Sequence, residues 1–348
     1  MISIIIPIHN GGKYINRCME SVLAQTHEDI EVLLVNDGST DDSRLICETY
    51  SSRYDHVRTI HTTNGGPSWA RNVGIQACGG DLIYFLDVDD SIEKTALESL
   101  FRRYTKHDVD LVIGDFYRVT DGIKKYSGNE LTYSGDTLLG KDDILSYLRK
   151  YLRVPYKYIL FNHCWNRLYK TSIIRENDIW FDPDLRNLED IDFNFKYLNY
   201  VNRAFYKAHR TYNYTIRNTS QSFIIGDDLN DFVKYPSTFE SIKTFLRNRE
   251  VDEIDVISEV GQMFISYTII ILIRLCGSWR LSNSYKVYRN VAAIISSPRV
   301  RDNLEFYSPT EDDIKFIHVL IKYRLSLLTM ITCRCRYNTH RKFKTKRK

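Results

Sequence analysis

Short apolar runs rich in β-branched residues alternate with amphipathic stretches of about a dozen residues through the first 115 positions of the chain. The runs at 3–6, 31–35, 57–61, 82–86 and 110–113 predict strands, and the stretches near 13–26, 42–54, 67–78 and 93–106 predict helices. Regular alternation of this kind marks a mostly parallel sheet with helical crossovers, so the expected class is α/β. Ligands of such sheets bind beyond the carboxyl ends of the strands. That rule places residues 7–10, 36–41, 64–66 and 87–90 around one crevice.

After the fifth strand, Gly122, Gly128, Gly135 and Gly140 read as turns or a hairpin ahead of a helix at 142–153. A further helix follows Thr171, and Glu189-Asp190 opens a run in which Ile191, Phe195 and Leu198 recur at helical spacing. This stretch is expected to complete the crevice on the acceptor side. Residues 228–337 read as mostly helical, with apolar stretches at 263–273 and 316–330. Neither reaches the ~20 uninterrupted apolar residues of a membrane span, and Arg274, Lys322 and Arg324 interrupt or flank them. They are expected to be buried in a helical appendage, the other reading being helices that lie on a membrane surface. The division that results is a main domain at 1–225 (nucleotide part about 1–115, acceptor part about 116–225), a helical region at 226–337 and a basic tail at 338–348.

Composition narrows the class without naming an activity. At 43% hydrophobic and 26% charged, the 348 residues fall in the ordinary globular range, which excludes collagen-like, disordered and integral membrane chains. The net charge of +4 is misleading, because residues 330–348 hold eight of the 48 Lys and Arg and no acid. The remainder carries 40 basic against 44 acidic residues. Basicity therefore belongs to the tail, from Arg341 to Lys348, which suits peripheral contact with an anionic membrane; a solvated end accounts for it equally, and no nucleic-acid partner is expected. The seven cysteines are scattered and odd in number, as reduced thiols are, and no secretory leader pattern opens the chain. The expected location is cytoplasmic, at the inner face of the cell membrane.

Chemistry concentrates where strands end. Asp87 and Asp89 are two apart on an extended segment, so both can face the crevice as hard oxygen ligands for Mg²⁺ or Mn²⁺; the plain alternative is that Asp89 or Asp90 caps the next helix. Asp37 ends the second strand, where it can accept hydrogen bonds from a base or ribose, and Thr40, Asp41 or Asp42 reads as a helix cap. Asn64-Gly65-Gly66-Pro67 leads into a helix that carries Arg71 one turn inside, positioned to neutralise a phosphate or to orient the carboxylates. Glu189-Asp190, on spacing alone, reads as a capping pair.

Together these segments resemble the family 2 inverting glycosyltransferases of GT-A, Rossmann-like fold, of the type that builds bacterial surface polysaccharides. The resemblance rests on Pro7-Ile8-His9-Asn10, Asn36-Asp37-Gly38-Ser39-Thr40-Asp41, Asn64 to Gly74, Asp87-Val88-Asp89-Asp90 and Glu189-Asp190, in order, with Trp165 to Lys170 ahead of the last. It covers roughly residues 1–220. It implies a single-sugar hexosyl- or N-acetylhexosaminyl-transferase that uses a nucleotide diphosphate sugar, UDP-linked, and Mn²⁺ or Mg²⁺. It further implies a glycan or lipid-linked glycan acceptor in surface polysaccharide or glycolipid synthesis. By the same resemblance Asp190 is the base. Pro7, His9, Asn10, Asp37, Asn64, Arg71 and Asp87 surround the nucleotide, Asp89 holds the metal, and Glu189, Arg217 and Ser220 lie near diphosphate or acceptor. His9 stands where the family has Tyr, and Asn36 where it has Asp, which loosens the preference for uracil. The Gln-x-x-Arg-Trp motif of processive enzymes is missing, which implies one sugar per cycle. Two other classes compete. A non-catalytic nucleotide-sugar scaffold is disfavoured by retention of Asp87, Asp89 and Asp190. An NAD-dependent oxidoreductase is disfavoured because no Gly-x-Gly-x-x-Gly follows the first strand.

Overall fold

The structure, a computed structural model, describes residues 1–125, 133–155, 157–216, 232, 236–310 and 313–346. The chain forms two compact units, one of Met1–Tyr147 with Lys157–Asn218 and the other of Leu148–Tyr156 with Thr219–Lys348.

The first unit is built on one sheet. Its strands are β1 (Ile2–Ile8), β2 (Ile30–Asp37), β3 (Val57–Thr62), β4 (Leu82–Phe85), β5 (Ser91–Ile92), β6 (Leu111–Thr120), β7 (Ile123–Lys125), β8 (Thr137–Leu139), β9 (Arg167–Lys170) and β10 (Ala204–Thr215). Their order is β3-β2-β1-β4-β9-β6-β10-β5, with β7 beside β6 and β8 beside β10. Pairing from β3 to β4 is parallel, as is β6 with β10, whereas β9 runs antiparallel between β4 and β6. β1 lies inside the sheet and is covered on both faces, which is why it reads as an almost unbroken apolar run.

Helices α1 (Gly12–Leu23), α2 (Ser43–Arg53), α3 (Pro67–Ala77) and α4 (Ala96–His107) make the crossovers. α1 buries Ile15, Cys18, Met19 and Val22, one face at helical spacing. α3 closes on β1 at Gly74, where a Cβ would stand 2.3 Å from Ile5 Cγ2. α5 (Lys141–Arg153), α6 (Thr171–Glu176) and α7 (Glu189–Leu198) follow along the chain. Each of the five expected strands and four expected helices is present. The fourth helix starts later than expected, because Ser91–Ile92 first pairs antiparallel with Tyr212 and Asn213 of β10.

The second unit contains α8 (Pro236–Asn248), α9 (Glu253–Gly277), α10 (Ser284–Ser296), α11 (Pro298–Asn303), α12 (Ile317–Lys322) and α13 (Ser326–Lys346). The Asp252 carboxylate caps α9 by accepting the Ile254 N–H at 2.9 Å. α9 begins ten residues before the apolar stretch read from the sequence. By length and hydropathy it could cross a bilayer, yet 72% of its most apolar window is buried within the protein. Glu259 on α9 is also buried and accepts from Arg149 Nε at 2.7 Å. All seven cysteines are free thiols.

Candidate active site

The ends of β1 and β2 are stitched by polar side chains. His9 Nδ1 lies 2.7 Å from the Asp37 carbonyl oxygen, which can only accept, so Nδ1 carries the proton and Nε2 accepts from Asn10 Nδ2 at 3.2 Å. Asn10 adopts a left-handed backbone (φ 50°) and returns its Oδ1 to the Thr40 N–H at 2.8 Å. Pro7 is half-buried within β1, opposite Val35. Asp41, among the residues expected to cap α2, accepts from Ser43 N–H at 3.1 Å and also from Gly12 N–H at 3.0 Å, so one carboxylate serves the starts of α1 and α2.

Asp37 is buried, and its two oxygens accept from Gly65 N–H and Gly66 N–H at 2.8 Å each. This carboxylate thus shapes the loop before α3 and sets Asn64 beside His9, 3.4 Å from Nε2. Gly38 makes the approach possible: its φ is +58°, and a Cβ there would meet Asn64 N at 2.6 Å. Gly38→Ala is therefore expected to lower unfolding free energy by about 2 kcal/mol, measurable by urea titration, since left-handed strain and overpacking act together.

Arg71 joins the remaining carboxylates. It is buried, donates through Nη2 to Asp87 Oδ1 at 3.1 Å, and brings Nη1 to 3.4 Å from Asp190 Oδ1 and 4.0 Å from Glu189 Oε1. The Phe181 ring lies under its guanidinium at 5.3 Å. Asp190 Oδ2 also accepts the Cys164 N–H at 3.2 Å. Glu189 and Asp190 do not act as caps. The residue that caps α7 is Leu188, with no side-chain hydrogen bond, and both acids stand in the first turn, turned toward Arg71. Burial, reinforced by the Asp190 charge, pushes the Glu189 carboxyl up to about 8.

Oxygens of Asp87, Asp89 and Asp90 come within 4.8 Å of one another. Asp90 is not a cap for α4 either. It is buried, with Oδ2 accepting from the Tyr212 hydroxyl and Oδ1 from the Thr215 N–H, each at 2.7 Å. That anchors the acidic turn to β10 and leaves Asp87 and Asp89 as the carboxylates able to hold a cation. Arg17 donates to the Asp89 carbonyl and, at 3.1 Å, to Thr215 Oγ1. Burial raises the Asp87 carboxyl to about 6; Arg71 opposes the shift, and the Asp89 and Asp190 charges add to it. A crowded set of hard oxygens fits a divalent ion, which would relieve that repulsion.

The structure thus brings Pro7, His9, Asn10, Asp37 and Asn64 to one side of the crevice, and Arg71, Asp87, Asp89, Glu189 and Asp190 to a connected charged cluster. Arg217 and Ser220 lie outside the described residues. Sequence reasoning missed Tyr212, Thr215, Arg17 and the Cys164 amide as partners, since no local pattern reveals a bond across 122 or 198 positions.

Residues 3–178, just over half of the chain, match the model for glycosyl transferase family 2. The chain belongs to that family. This family 2 chain is 34% identical over 194 residues to the uncharacterized glycosyltransferase EpsJ of Bacillus subtilis, a stretch covering 56% of the chain and 55% of EpsJ. The chain therefore spans about half the length of that relative. With the putative glycosyltransferase EpsH of the same organism it shares 26% identity over 334 residues, 93% of the chain and 92% of EpsH. Among solved structures, residues 1–349 of Staphylococcus aureus TarS in complex with UDP-GlcNAc superpose with a TM-score of 0.69. That match is 18% identical and covers 97% of this chain and 92% of the other. The fold of this family 2 member is accordingly GT-A, a mixed and mostly parallel sheet flanked by helices, with further helices following.

Proposed function

We propose that the protein is a metal-dependent inverting glycosyltransferase that moves one sugar from a UDP-linked donor to an acceptor hydroxyl. The observation that carries this reading is a single buried guanidinium, Arg71, that reaches both Asp87 after β4 and Asp190 at the start of α7. A candidate cation site and a candidate base therefore share one cleft. TarS, of similar fold, was solved with UDP-GlcNAc, which favours a UDP-linked donor, hexosyl or N-acetylhexosaminyl.

In this mechanism His9 and Asn64 meet the base, and Asp87 with the Gly65–Gly66 turn positions ribose and diphosphate. A divalent ion, Mn²⁺ or Mg²⁺, held by Asp89 with Asp87 would offset the negative charge growing on the leaving diphosphate. Asp190 takes the acceptor proton as its oxygen attacks the anomeric carbon from the opposite face, and one displacement inverts the configuration. Arg71 holds the Asp190 carboxylate in place, its Nη1 3.4 Å from Asp190 Oδ1. The acceptor in this proposal is a glycan or lipid-linked glycan of surface polysaccharide or glycolipid synthesis, met at the cytoplasmic face of the membrane, where the basic tail contacts anionic lipid.

Screening UDP-, GDP- and dTDP-sugars for release of the nucleotide tests the activity. A UDP-sugar should turn over, and no turnover with any donor, despite UDP binding, would leave only a scaffold. Titration calorimetry with UDP, with and without Mn²⁺, tests the cation site. Asp89→Ala should lose the Mn²⁺-dependent gain in affinity, tenfold or about 1.4 kcal/mol, and retain the metal-free part. An equal Mn²⁺ effect in both proteins would remove Asp89 as ligand.

A further inference from the structure

The second unit carries an apolar surface that the proposed reaction does not use. α13 buries Thr329, Met330 and Cys333 on one face and exposes Leu327, Leu328 and Ile331 on the other. Ile331 lies four residues after Leu327 and three after Leu328, so it meets both one turn along the helix and links them into one stripe. α12 repeats the arrangement, burying Ile317 and Ile321 and exposing Val319, with Phe316 before it and Tyr323 after it also exposed. Seven of the 18 exposed large hydrophobic side chains among the described residues fall between Phe316 and Ile331, a concentration that scattered apolar surface does not show.

Charge identifies what would cover the ridge. From Ile314 to Lys348 the sequence has eleven Lys and Arg and no acid. Lys322 and Arg324 are exposed beside the apolar side chains. A second copy would bring like charge against like charge, whereas a bilayer containing anionic lipid offers both an apolar interior and negative headgroups. We infer that the exposed ridge of α12 and α13 is a membrane-docking surface, with Phe316, Tyr323, Leu327, Leu328 and Ile331 entering the headgroup region of an anionic bilayer. The ridge binds with the basic tail but does not depend on it, and this holds whether or not the first unit transfers a sugar.

The test uses the full chain in flotation with vesicles of phosphatidylcholine alone or mixed with phosphatidylglycerol. The wild type should float with the mixed vesicles, and less so as salt is raised. The triple variant Leu327→Ser/Leu328→Ser/Ile331→Ser, which keeps every cation, should partition at least about tenfold more weakly. Deletion of residues 338–348 should leave part of the binding in place. As a second measurement independent of the triple variant's folding, Tyr323→Trp should add emission that brominated acyl chains quench. The inference is overturned if the wild type ignores both vesicles, if the triple variant floats like wild type, if the new tryptophan is not quenched, or if light scattering shows a dimer that the triple variant abolishes without vesicle binding.

Discussion

Asp190→Asn is expected to slow nucleotide release from the UDP-sugar by about 10²–10⁴-fold, the range set by loss of a general base. Affinity for UDP with Mn²⁺ should stay within a factor of a few, because Asp190 lies across Arg71 from Asp87. The replacement is nearly isosteric. Its single oxygen can still accept the Cys164 N–H, as Asp190 Oδ2 does at 3.2 Å, while the amide has no charge to set against Arg71. Turnover should therefore fall without loss of the fold, which thermal melting checks. Turnover equal to that of the wild type would remove Asp190 as the base and, with it, the proposed mechanism.

Arg71→Met is expected to have the largest effect on stability. The side chain is buried among Asp87, Glu189 and Asp190, and removing one partner of a buried ion cluster costs on the order of 3–5 kcal/mol. The loss should depend on pH with a definite sign. Glu189 and Asp87, raised in the folded protein to about 8 and about 6, bind protons more tightly there than in the unfolded chain. Stability therefore falls as pH rises from the unfolded carboxyl range toward those values. Without the guanidinium both groups shift further upward, so the deficit of the variant should be greater at pH 9 than at pH 6 in urea unfolding. Adding Asp87→Asn should recover part of it. A variant as stable as wild type at both pH values would show that the cluster is solvated and that Arg71 does not hold it together.

Much of the first unit is legible in the sequence, for one physical reason: buried parallel strands and amphipathic helices write their periods locally. The run Ile2 to Ile8 and the α1 positions Ile15, Cys18, Met19 and Val22 announce their environments without a partner in view. Turn chemistry is local too, and it put the Gly65–Gly66 pair at the turn that leads into α3, where both N–H groups bond Asp37. The carboxylates could be enumerated for the same reason, Asp37, Asp87 and Asp89 because they stand at strand ends and Glu189-Asp190 because it opens a run of helical period.

Which of them act together was not local. By their spacing Asp90 and Asp190 are indistinguishable from helix caps; only the packing of β10 against the acidic turn turns Asp90 into an anchor, and only the path of α7 brings Asp190 to Arg71. The antiparallel β9 is also invisible in the sequence, because four residues between neighbouring strands carry too short a period to declare direction. In the second unit the composition of α13 does not reveal which apolar side chains face inward, and the division between Met330 and Leu327 comes from the neighbouring helices. Sequence determined the elements and the chemical inventory, because propensity and periodicity act over a few residues. Tertiary structure decided which groups meet, because hydrogen bonds and ion pairs depend on separation in space and not along the chain.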